Sequence, residues 1–173
     1  FLFLLFKTHN DFSVRTVGLP GLGAGGATFG QVITMPSPKA MHGGGKVVEF
    51  NWVRVFEHEF VHVLTLQMSD YHIPRWLTEG ISTWEENDFD LQYDELIRNA
   101  LYNGYLPDLY SMNDGFMQQK YQGQMAVSYY QSALFTKFYT EKYQQMLAEN
   151  LEQYIENFDQ YTQLAKNNPN PSL

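Results

Sequence analysis

A chain of 173 residues, 44% hydrophobic and 17% charged, is long enough for one domain with a real core and too apolar to be a disordered tail. Nineteen acidic against eleven basic residues give a net charge of −8, which repels a phosphate backbone and argues against a nucleic-acid partner. With no cysteine there are no disulfides, thiol nucleophiles or thiolate-held zinc, so any metal must be held by His, Asp or Glu.

The longest unbroken apolar run, Phe1–Phe6, is far shorter than the ~20 residues of a membrane helix, so the chain is read as soluble, with no membrane span. Its opening Phe suggests a segment of a longer protein. The first 46 residues hold nine of the thirteen glycines and read as strands and turns. Leu2–Lys7 and Thr28–Met35 are the strand candidates, the second stopped by Pro36 and Pro38. From Val47 onward helical spacing takes over. Val53, Val55, Phe56, Phe60, Val63, Leu64 and Leu66 surround a helix on almost every side, which predicts a buried helix ending near Ser69-Asp70. Pro74 suits the first turn of a second helix reaching Glu86, and a third covers Leu91–Tyr102, closed by Asn103-Gly104 and Pro107. A long helical stretch, one helix or two, runs from Gln122 to Leu164, with Tyr143, Leu147, Leu151, Tyr154, Phe158 and Tyr161 marking one face of its latter part. Asn167–Leu173 reads as a frayed end. The expected class is α+β in a single domain over 1–173, a small N-terminal sheet at 1–46 followed by a mostly helical half at 47–173.

Inside the first of these helices stands His58-Glu59-Phe60-Val61-His62. Residues four apart on a helix differ by about 6 Å of rise and about 40° of rotation, so the two imidazoles can close on one ion. Glu59 points about 100° away, beside the ion, where it can act on a polarised water as general base. Three protein ligands and one open position are the catalytic zinc arrangement. Chance placement of the three is disfavoured, because each unsatisfied polar group buried among valines and phenylalanines costs about 1–3 kcal/mol. Spacing leaves the third ligand open among Asp70, His72 and Glu79. A metzincin continuation would need glycine at 65 and histidine at 68, where the chain has Thr65 and Met68.

Together with Trp76-Leu77-Thr78-Glu79-Gly80, the motif resembles the gluzincin peptidases, the thermolysin and aminopeptidase-like clan, and especially its compact peptidase MA-like members. The resemblance implies a zincin-type fold, one zinc per chain, a peptide or protein substrate, and Glu79 as the third ligand. It also implies a role for Tyr129, the first residue of Tyr129-Tyr130-Gln131-Ser132, as hydrogen-bond donor to the tetrahedral intermediate. Gly25-Gly26-Ala27-Thr28-Phe29-Gly30 is similar to the strand that edges the active-site cleft in these enzymes, which makes Thr28, Phe29 and Gly30 candidates for binding an extended peptide. The aminopeptidase Gly-x-Met-Glu-Asn motif is absent, so exopeptidase specificity has no support. A zinc-binding but non-catalytic module of a larger protein is the alternative. The resemblance also leans towards an extracytoplasmic or cell-surface setting, and the oligomeric state is left open.

Other signals are weaker. Gly21-Leu22-Gly23-Ala24-Gly25-Gly26 fits a dinucleotide fingerprint but precedes a strand instead of a helix. His9 and His42 read as surface residues, and Thr83 and Glu86 as helix-face residues with support of a metal ligand as the alternative.

Overall fold

The computed structural model of the chain describes residues 1–41, 51–86, 91–118 and 120–167, with 41, 91, 92 and 146–167 described by their backbone alone. His42 and the end of the chain past Asn167 lie outside the described residues. The chain divides into two compact units, Phe1–Thr136 and Lys137–Leu173.

The first unit opens with a three-stranded sheet in the order β1-β3-β2. Strand β1 (Leu2–Phe6) pairs parallel with β3 (Val32–Pro36), Leu2 against Val32, and β2 (Ala27–Phe29) pairs antiparallel with β3 on the other side. The single strand expected over Thr28–Met35 is therefore a hairpin. Gly30, at φ +61°, supplies the one left-handed residue that a tight turn needs, and an otherwise β-rich run conceals it. The N-terminal part is also not wholly strand and turn, since it contains α1 (His9–Val17) and α2 (Pro38–Met41). Local caps explain α1: the Thr8 hydroxyl accepts from the Asp11 amide at 3.0 Å, and Gly18, at φ 77°, closes the helix through its N–H to Val14 O.

Two helices then form the centre of the unit, α3 (Trp52–Met68) and α4 (Arg75–Glu85). Cross-pairs Arg54 with Glu86, His62 with Ser82, and Thr65 with Thr78 show that they run antiparallel. The expectation that α3 is buried on every side does not hold. Glu59, His62 and Val63 are buried, but Val53 is 59% and Met68 88% exposed. Sheet and α4 cover one side of the helix only, and scattered apolar residues on an outer face are common in proteins.

One core cluster joins Ile33, Met35 and Val63 with Phe3, Trp52, Phe56 and Phe60, sealing the sheet onto α3. A second joins Trp76, Met112 and Phe116 with Leu77, Met125, Tyr129 and Phe135. After α4 come α5 (Leu91–Tyr102), the short α6 (Asp114–Met117) and α7 (Gln124–Asn167), a single helix where one or two were expected. Gly80 lets α4 approach α7 closely, because a Cβ there would lie 2.6 Å from the Ser132 carbonyl oxygen. In the second unit α7 continues with Lys137 and Glu141 paired at 3.9 Å. Among the described residues no helix is long and apolar enough to cross a membrane.

Candidate metal centre

Helix α3 places His58 and His62 on one face, and the first turns of α4 bring Glu79 to the same point. His58 Nε2 and His62 Nε2 are 3.1 Å apart, and Glu79 Oε2 lies 3.4 and 3.3 Å from them. These three form the group among the described residues that could hold a metal ion. Asp70 and His72, the other third-ligand candidates, are exposed in the turn after α3.

Each imidazole is fixed through its other nitrogen. His58 Nδ1 is hydrogen-bonded to Glu86 Oε1, while Glu86 Oε2 receives Arg54 Nε. His62 Nδ1 is 2.8 Å from Thr78 Oγ1 and 3.3 Å from Ser82 Oγ. Thr78 Oγ1 in turn is 2.7 Å from Thr65 Oγ1, which donates to the Val61 carbonyl at 3.0 Å. That carbonyl can only accept, so the chain orders itself outward from it: Thr78 donates to Thr65, and His62 Nδ1–H donates to Thr78. An ionised Glu86 likewise accepts from His58 Nδ1–H. Both neutral rings then turn their Nε2 lone pairs towards Glu79 Oε2.

Glu79 Oε2 is buried with no hydrogen-bond partner among the described residues, while Oε1 faces Arg75 Nε at 3.4 Å. Three electron-rich atoms converging without a proton between them repel one another unless a cation sits among them. Their spacing matches the ~3.3 Å expected between ligands about 2.0–2.1 Å from one tetrahedral centre. The donor set, two imidazoles and one carboxylate oxygen, suits zinc. Without a metal the site gathers protons. Burial disfavours a charged His58, but Glu79 and Glu86 outweigh it and push the imidazole up to about 9. Burial works against the Glu79 carboxylate too, yet the two facing imidazoles hold it well below the usual range.

Glu59 stands beside this triangle. Burial pushes its carboxyl above the ordinary value against the opposing Thr28 hydrogen bond, in which the hydroxyl donates to Oε2 at 2.6 Å. A Cβ at Gly26 would lie 2.8 Å from Glu59 Cγ and 2.9 Å from Oε1, so only glycine lets the loop lie against this side chain. Tyr129 is half-buried with its ring 6.4 Å from that of His58, and burial and the Glu79 charge keep its phenol protonated far above the ordinary value. Tyr130 instead bonds Asp94. A cavity of about 600 Å³ opens beside His58 and Glu59, walled by Ala24–Gly26, Val55, Tyr93, Met125, Tyr129 and Tyr130.

Of the three strand residues, Thr28 turns its side chain to Glu59, Phe29 is 54% exposed, and Gly30 sits in the hairpin turn against the Tyr71 hydroxyl. The reading of Glu86 as a helix-face residue gives way to its alternative, contact with a candidate ligand. Sequence reasoning missed the Thr65–Thr78 chain, Ser82, Arg75 and the close approach of Gly26; the short polar residues at helical spacing on α3 and α4 were the available signal.

Fold and site together define a metallopeptidase-like domain. Residues 33–166 match the sequence profile of the Peptidase MA superfamily, and the chain belongs to it. Compared with curated proteins and with solved structures, the chain matches none.

Proposed function

We propose that the domain is a zinc-dependent metallopeptidase in which His58, His62 and Glu79 hold the ion and Glu59 is the general base and acid. The observation that carries this reading is the convergence of two imidazole lone pairs and an orphaned carboxylate oxygen, with a second buried carboxyl beside them. When bound, zinc would supply Lewis acidity, polarising a carbonyl oxygen and lowering the pKa of water to about 7.

The remaining steps belong to the chain. The Thr28 hydroxyl occupies Glu59 Oε2 and fixes the carboxylate, leaving Oε1 to take a proton from the attacking water and deliver it to the leaving amine. An upward shift suits that task, since a base that must release its proton again works best near neutral pH. The protonated Tyr129 phenol donates to the oxygen on which negative charge develops. Strand β2, at one edge of the sheet, supports the peptide in extended form by main-chain pairing, with Phe29 and Gly30 at its far end. The cavity beside Glu59 receives a substrate side chain.

Glu59→Gln tests this directly. The variant keeps one zinc per chain and loses hydrolysis of unstructured peptides by 10²-fold or more, about the contribution of a general acid–base group. Undiminished hydrolysis by Glu59→Gln overturns the mechanism. Zinc-loaded protein that cleaves none of a broad peptide panel between pH 5 and 9 leaves a zinc-binding module instead.

A further inference from the structure

We propose that Glu86, held by Arg54, is a positioning residue that sets how strongly His58 binds zinc; the inference rests on the metal-centre reading above. Glu86 caps α4 seven residues after Glu79, and seven helical residues make almost two full turns, so the two residues share one face, their backbones about 10 Å apart along the helix axis. The His58 ring lies between them, with Nε2 3.4 Å from Glu79 and Nδ1 bonded to Glu86. A single helix therefore addresses both nitrogens of the first histidine. Thr83, one turn after Glu79 and also a candidate support, takes no part: its buried hydroxyl has no hydrogen-bond partner among the described residues.

Both oxygens of Glu86 are engaged, one by His58 and the other by Arg54, which sits one turn before His58 on α3. The pair thus ties the start of α3 to the end of α4 around the ring between them. A carboxylate that accepts from Nδ1–H fixes the tautomer, aims Nε2 at the ion and makes it a stronger donor. Arg54 Nε donates to Glu86 Oε2, and this charge-assisted pair offsets part of the cost of burying the carboxylate against the His58 ring. The guanidinium acts on the metal through Glu86 and His58.

The test reads zinc affinity of the whole chain by competition with a chromophoric chelator. Glu86→Gln keeps an acceptor oxygen opposite Nδ1 but removes the charge, and weakens zinc about tenfold. Glu86→Leu removes both and weakens it about 100-fold, and Arg54→Met falls between wild type and Glu86→Leu. In nitrogen-15 spectra of zinc-loaded protein, the His58 Nδ1 proton is protected in the wild type and exchanges with solvent in Glu86→Leu. A role in folding alone would lower the melting temperature of the metal-free variants and leave their zinc affinity and the Nδ1 proton unchanged; that result overturns the proposal. A wild type that takes up no zinc overturns the metal-centre reading instead.

Discussion

His58 donates a hydrogen bond from Nδ1 to an ionised carboxylate that an arginine holds, whereas His62, one turn later on α3, donates from Nδ1 to Thr78, which donates to Thr65 and Thr65 to a backbone carbonyl. The difference follows the surroundings. His58 and Glu86 both line the cavity, and the Arg54 guanidinium offsets part of the cost of enclosing the charged clamp. His62 is buried between α3 and α4, where a chain of neutral hydroxyls ending on a carbonyl is cheaper to enclose than an ion pair. One histidine is thus supported by charge and the other by hydroxyl geometry, and hydrogen bonds to charged partners are roughly twice as strong as neutral ones.

Removing either ring erases the contrast and has the largest effect. His58→Ala and His62→Ala each lose stoichiometric zinc, read by elemental analysis of the purified proteins, because two ligands leave the ion half-coordinated. Thr78→Val probes the neutral side without changing side-chain shape. It leaves His62 Nδ1–H only the longer contact to Ser82 and deprives Thr65 of its donor, so zinc affinity falls about tenfold and the folded state loses about 1–2 kcal/mol. Chelator competition and urea titration check both numbers, and a loss matching that of Glu86→Leu would remove the distinction between the two supports.

A further effect is expected in the pH dependence of the metal-free protein. Burial disfavours the charged His58 ring, but Glu79 and Glu86 outweigh it and raise the group from 6.5 to about 9. A pKa raised on folding contributes stability that is complete below pH 6.5 and is lost as pH climbs through 9. The urea midpoint of chelator-treated protein therefore falls over that interval. Excess zinc reverses the slope, since protons compete with the metal for the same nitrogens. A midpoint that does not move between pH 6.5 and 9 contradicts the charged environment assigned to His58.

The parts of this arrangement readable in sequence are those that local geometry encodes. Four-residue spacing on a helix places His58 and His62 together whatever surrounds them. Spacing alone left Glu79 open beside Asp70 and His72, and the resemblance of its Trp-Leu-Thr-Glu-Gly segment singled it out. Among the supports Glu86 was visible only as an alternative to a helix-face residue, and its pairing with Arg54 and that of Thr28 with Glu59 were not readable, because the partners stand 32 and 31 residues apart and only the packing of α3 against α4 and β2 brings them together. The N-terminal part was misread for a different reason. Its glycine content suggested turns throughout, although Thr8, Asp11 and Gly18 mark both ends of α1 in ordinary capping positions.

Arg75 occupies one oxygen of Glu79 and leaves the other to the histidines. The consequence is a choice among ions. Calcium gathers six to eight oxygens and commonly takes both from one carboxylate, and magnesium prefers a nearly all-oxygen octahedron. With one oxygen engaged by Arg75 and the other facing two ring nitrogens, Glu79 offers neither environment, so an ion held here would be selected by the imidazoles and not by an oxygen cage.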